Sequence, residues 1–167
     1  MRAPSSTIVI DAAVLVAAAR GKSSGAVLAV SRVARLVTTD RAIHESRRRV
    51  ELGLKRPDLL TIIDDLVAEM TIVPVAELAS QLALGEVALR DAIPSRNGSI
   101  NDAHVLALAW SVEADIWTND RDFAGTGVAS WSTPNLLRGL AEQARTLPEM
   151  KVPGLSTATQ LVCVARR

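Results

Sequence analysis

Short runs of β-branched and aliphatic residues alternate with helical stretches along nearly the whole chain, and this alternation constrains the fold more than any other feature. The runs are Thr7 to Asp11, Leu36 to Thr38, Thr71 to Val75 (closed by Pro74), Asp115 to Thr118 and Val128 to Trp131. Helical periodicity fills the intervals: Ala12 to Ala19, Ala26 to Arg35, a helix with Asp40 as N-cap ending near Gly53, Asp58 to Met70, about Glu77 to Ala92, and Asp102 to Val112. A last helix starts at Ser132-Thr133-Pro134. Parallel strands need crossovers, and crossover helices cover both faces of the sheet. The expected fold class is therefore α/β, with a central parallel sheet of about five strands flanked by helices in three layers. Residues 1–147 read as one domain, Ile93 to Ser99 as a loop within it, and 148–167 as a tail with an apolar patch around Leu161 to Val164.

A chain of 167 residues with 49% apolar content is long enough to bury a substantial core. Three Trp, one Phe and no Tyr argue against base stacking as the main binding mode. Cys163 is the only cysteine, which excludes a disulfide framework and a cysteine-rich metal site. Arg2, the following apolar stretch and Ala17-Ala18-Ala19 imitate a signal peptide, but Asp11 interrupts it with a charge. No apolar run reaches the ~18 residues of a spanning helix, so no membrane partner is expected and the chain reads as cytoplasmic. The net charge of +1 hides a basic stretch from Arg32 to Arg56, centred on Arg47-Arg48-Arg49. Such a stretch suits a polyanion held by its backbone, and it equally suits a solvated helix face.

Five carboxylates stand where the chain would cross the carboxyl ends of the strands: Asp11, Glu45, Asp102, Asp120 and Asp122. Ligands of open α/β sheets bind there. Taken singly, Asp11, Asp120 and Asp122 fit caps or turns, and Glu45 fits an exposed helix face. Asp102 resists that treatment, because it opens a helix whose next residues are almost wholly apolar. Carboxylates gathered at one end of a sheet repel one another unless a cation joins them, and oxygen-only ligands suit Mg²⁺ or Mn²⁺. Three rival motifs fail. Gly21-Lys22-Ser23 lacks the P-loop glycine five residues earlier, where Val16 stands; His44-Glu45 lacks the second zinc-protease histidine, where Arg48 stands; and no lysine is placed for a receiver domain. His44 and His104 read as packing or surface residues rather than ligands.

The order Val9-Ile10-Asp11, Thr38 to Glu45, Asn101-Asp102-Ala103-His104-Val105-Leu106-Ala107-Leu108-Ala109, then Thr118-Asn119-Asp120-Arg121-Asp122-Phe123 resembles a PIN domain. The run Ile116 to Val128 is its most specific part and is similar to the final motif of bacterial and archaeal PIN proteins, VapC-type toxins among them. The resemblance covers about residues 7 to 140. It implies that Asp11, Glu45, Asp102 and Asp120 form the catalytic acidic set, that Asp11, Asp102, Asp120 and Asp122 are the metal ligands, and that Thr118 and Asn119 line the pocket. It further implies Mg²⁺- or Mn²⁺-dependent ribonuclease activity, an RNA substrate, a homodimer and an antitoxin partner. Two positions depart from the family pattern. Ala12 and Ala13 replace a polar residue usual after the first Asp, and Asn97 and Asn101 stand where related chains often carry another acid.

On this reading Arg47, Arg48, Lys55 and Arg56 are candidates for contacts to the RNA backbone, which position a strand without reading its sequence. Glu45 completes the acidic cluster as an outer ligand or by orienting a water. The same site suits a DNA backbone. A reading from a different class is a non-catalytic PIN-like module that binds nucleic acid or protein.

Overall fold

A computed structural model describes residues 2–90, 100–119 and 123–146. Five strands, β1 (Thr7–Ile10), β2 (Arg35–Thr39), β3 (Thr71–Val73), β4 (Asp115–Trp117) and β5 (Ser130–Trp131), form one sheet in the order β3-β2-β1-β4-β5. Every pairing is parallel, with Val9 opposite Val37 on one side and opposite Ile116 on the other. The described helices are α1 (Ala12–Ala19), α2 (Ser24–Ser31), α3 (Asp40–Arg48), α4 (Leu60–Ala68), α5 (Ala79–Arg90), α6 (Ala103–Ser111) and α7 (Thr133–Thr146). The α/β expectation of a parallel five-stranded sheet between helical layers is met.

The strands sort their side chains with period two, as a pleated backbone must. Ile8, Ile10, Leu36 and Trp117 face a cluster shared with α1, α2 and α7. Val9, Val37 and Ile116 face the opposite cluster, built with α5 and α6. Because helices cover both faces, β1 is apolar at consecutive positions, and Ile8, Val9 and Ile10 have no exposed surface. The stretch that imitates a signal peptide thus supplies the central strand and a core helix. Among the described residues no helix is long and apolar enough to cross a membrane.

Helix boundaries carry most of the differences from the sequence reading. Asp40 is the first residue of α3 rather than its cap. Thr39 is the N-cap, its hydroxyl accepting the Ala42 N–H at 3.1 Å. Asp40 instead accepts the Arg41 and Val75 backbone N–H groups, tying α3 to the segment after β3. The helix then widens into a π-helical turn, Arg49–Gly53, before the chain reverses. Three helices open with a tight turn of 3₁₀ geometry: Pro57–Leu59 before α4, Val75–Leu78 before α5 and Ile100–Asp102 before α6. Asp102 holds the N-cap position of α6, and its side chain makes no capping bond to the helix. Strands three and five are shorter than expected, at Thr71–Val73 and Ser130–Trp131. The Ile93 to Ser99 loop and the tail with its apolar patch lie outside the described residues.

Gly21 settles the P-loop decoy. It sits at φ +80 just past α1, with its N–H bonded to the Ala18 carbonyl and that of Lys22 to Ala17. This is a Schellman stop, which needs the left-handed conformation that glycine adopts without penalty. Gly21 therefore ends a helix instead of cradling a phosphate.

Candidate functional site

The chain fills the sheet outward from β1, first through β2 and β3 on one side, then through β4 and β5 on the other. The order reverses between β1 and β4, and the crevice at such a switch point is where open α/β sheets bind ligands. Asp11 follows β1 at the mouth of this crevice. Its backbone N–H bonds to the Trp117 carbonyl at 3.2 Å, so β1 and β4 stay in register as far as the first acid. Its carboxylate is 6% exposed, and Oδ2 accepts the Thr118 hydroxyl at 2.8 Å. Thr118 itself is buried directly after β4, while Asn119 beside it is exposed. On the other side, the Thr38 hydroxyl donates to the Ile10 carbonyl at 3.0 Å, pinning β2 beside the same turn.

Glu45 lies on the second turn of α3, half-buried. Its Oε1 accepts from Arg41 Nε at 3.0 Å and lies 3.7 Å from His104 Nε2 on α6. Burial pushes the Glu45 carboxyl upward, but His104 and Arg41 outweigh it and hold the group below its ordinary range. Arg41 also donates to Asn101 Oδ1 at 3.2 Å, so α3 is linked to the start of α6 next to Asp102. His104 is fully buried and bonded through Nδ1 to the Thr39 hydroxyl at 2.8 Å, whereas His44 is exposed. The sequence marks His104 only as a packing residue; its place two positions after Asp102 on an otherwise apolar helix is the signal that could have singled it out.

Among the described residues, no three acidic, histidine or cysteine groups stand close enough to enclose a cation. Asp120 and Asp122 lie outside the described residues. What surrounds them is defined on both sides. Thr118 precedes them, and Phe123 follows, 1% exposed and packed in the α5–α6 cluster. Thr126 bonds back to the Phe123 carbonyl through both N–H and hydroxyl, and Gly125 and Gly127 take φ +85 and +83. The Phe and the two glycines of the last motif are thus folding residues that anchor the segment after the acids. The donors that Asp11, Glu45 and Asp102 offer are carboxylate oxygens, and this chemistry fits a hard divalent cation.

The basic candidates follow Glu45 along α3 and the turn after it. Arg47 is exposed and ion-paired with Asp64, and Arg48 is exposed beside it. Lys55 and exposed Arg56, the latter paired with Asp58 at 2.6 Å, follow the end of the π-helical turn. At 1.5 Å per residue, that end lies about 12 Å along the helix from Glu45.

The sequence model of the PIN domain matches residues 9–141, which is most of the chain and spans every acid named above. This chain belongs to the PIN domain family. Two solved structures share the PIN fold with it. One is from the VapBC2 complex of Rickettsia felis bound to a DNA fragment from its promoter, at 13% identity and TM-score 0.58, covering 75% of this chain and 98% of that one. The other is PAE2754 from Pyrobaculum aerophilum, at 18% identity and TM-score 0.54, covering 81% and 96% respectively. No curated protein matches this PIN domain significantly.

Proposed function

We propose that this PIN domain is a Mg²⁺- or Mn²⁺-dependent endoribonuclease that hydrolyses RNA phosphodiester bonds, acting as the toxin of a toxin–antitoxin pair. The observation that carries the reading is the buried Asp11 carboxylate at the β1/β4 switch point, oriented by Thr118 from the neighbouring strand. Open α/β sheets bind ligands at such a switch point, which supports a role for this carboxylate in holding a cation.

Asp11, Asp102, Asp120 and Asp122 would hold the cation. When bound, it supplies Lewis acidity that activates a water and offsets charge growing on the phosphate. The protein's own part is positional. Thr118 holds one oxygen of Asp11 and so fixes the orientation of the carboxylate. Glu45 completes the acidic set, and its depressed pKa keeps it ionised to act as an acceptor for the attacking water. Asn119 lines the pocket rim. Arg47, Arg48, Lys55 and Arg56 hold the backbone of a strand that runs from the crevice along α3. The Arg47–Asp64 and Arg56–Asp58 ion pairs are exposed and screened by water, so phosphates exchange readily for Asp64 and Asp58. A homodimer, a separate antitoxin chain and cytoplasmic residence go with this reading, and the VapBC2 neighbour supports the antitoxin partner.

The test is Mg²⁺ and Mn²⁺ binding by calorimetry to wild type and Asp102→Asn, with matched RNA and DNA strands offered in parallel. The expected result is metal-dependent cleavage of RNA by wild type and its loss in the variant. Cleavage of DNA alone would reassign the substrate. A folded wild type that binds neither metal would overturn the enzyme reading in favour of a non-catalytic binding module.

A further inference from the structure

Thr39 and His104 form a buried pair whose hydrogen bonds favour one arrangement of protons. Thr39 is 1% exposed and His104 has no exposed surface. The Thr39 oxygen already accepts the Ala42 N–H, and it lies 2.8 Å from His104 Nδ1. A buried hydroxyl needs an acceptor for its single hydrogen, and Nδ1 provides one. Nδ1 is then unprotonated, so the hydrogen of the neutral ring is on Nε2. Nε2 is buried and has no hydrogen-bond partner among the described residues. The nearby acceptor is Glu45 Oε1, 3.7 Å away, which also accepts from Arg41 Nε at 3.0 Å.

We propose that His104 is a positioning residue: its Nε2–H, fixed by the Thr39 hydroxyl on Nδ1, sets the orientation of the Glu45 carboxylate from α6. The catalytic consequence rests on the ribonuclease reading; the geometry does not. The gap of 3.7 Å is slightly beyond a hydrogen bond, and a small rotation of the Glu45 side chain closes it. Burying an imidazole donor with no acceptor costs free energy, so the arrangement favours that rotation. The Thr39 cap of α3, the His104 ring on α6 and the Glu45 carboxylate then form one chain of hydrogen bonds. It sets the distance between the helix carrying Glu45 and the helix opened by Asp102.

Two conservative variants separate positioning from packing. In His104→Asn the amide reaches the Nδ1 position and can bond Thr39, but nothing replaces Nε2. In His104→Gln the amide nitrogen reaches the Nε2 position. With RNA as substrate, His104→Asn should lower kcat by about 10- to 100-fold, the usual cost of losing such support, with KM little changed. His104→Gln should recover most of that loss. Independently of any cleavage, long-range ¹⁵N spectra of the wild-type protein should show His104 with Nε2 protonated and Nδ1 bare. The Nε2 resonance should move in Glu45→Gln, and the Glu45 carboxyl ¹³C resonance should move in His104→Asn but not in His104→Gln. A protonated Nδ1, or an Nε2 resonance indifferent to Glu45→Gln, would overturn the proposal even if His104→Asn failed to fold. If wild type cleaves no RNA, the ribonuclease reading falls while these spectra still decide the role of His104.

Discussion

Among the described residues the most deeply buried acid is not one of the five singled out from the sequence, and removing it should destabilise the protein without touching the site. Asp115 is 2% exposed and accepts three hydrogen bonds of 2.9 Å, from Arg2 Nη2, Ser5 N–H and Trp131 Nε1. In Asp115→Ala the buried Trp131 N–H loses its acceptor, at about 1–3 kcal/mol. Ser5 is half-buried and the Arg2 side chain is 62% exposed, so water replaces much of what they lose, adding up to about 1 kcal/mol each. The desolvation penalty of the carboxylate itself is returned, which limits the total. The expected loss is about 3 kcal/mol, or a fall in Tm of about 6–12 °C for a chain of this size. Asp115→Asn keeps an oxygen for Trp131 and should lose less than half as much. Urea unfolding reads both, with midpoints shifted and slopes unchanged. Asp115 pairs with Ile8 at the entry end of the sheet, about 10 Å by strand rise from Thr118. Activity per folded molecule should therefore stay at the wild-type level. A loss below about 1 kcal/mol in Asp115→Ala, or a specific loss of activity in the folded variant, would refute the assignment of Asp115 as a purely structural acid.

Gly85 sets how closely α5 approaches α6: a Cβ there would meet the Ala103 carbonyl oxygen at 3.0 Å. Gly85→Ala should cost about 1–3 kcal/mol by overpacking, measured by urea unfolding, and should weaken metal binding because Ala103 adjoins Asp102. Glu45 has a folded pKa below its ordinary 4.5, so its contribution to stability is present above that value and disappears as pH falls through the lower, folded one. The stability difference between wild type and Glu45→Gln should accordingly shrink on acidification below pH 4.5, and a difference that widens instead would contradict the shift.

Much of the architecture was legible because it is written in local pattern. The apolar run of β1 and the unbroken apolar helix after Asp102 each announce burial on all sides, and Ala103 to Ala109 are all buried. Alternation of strands and helices gave the parallel sheet. Strand order was not legible, since placing β1 at the centre depends on which strands pair, and pairing is a long-range choice. The cap of α3 was misassigned for a related reason. Thr39 and Asp40 are both good caps by type, and what decides between them is that Asp40 is drawn to the Val75 N–H. Asp115 did not stand out in the sequence because its partners are 16 to 113 residues away. At the site, sequence reading proposed the acids from their positions after strands and near helix starts. It could not find the Thr39–His104 bond, which joins residues 65 apart, nor the contact of Thr118 with Asp11 across 107.

That last separation also bears on when the protein can be active. The crevice lies between the first strand made and the fourth, so a ribosome must emit nearly the whole domain before Thr118 can reach Asp11. Contacts so distant along the chain form late in folding, after the entropy of closing the intervening loop has been met. A nascent or prematurely terminated chain ending before Thr118 carries the first acid on an unpaired strand edge and has no assembled site. For a molecule that would attack RNA, such delayed assembly keeps the growing chain harmless to the message that encodes it.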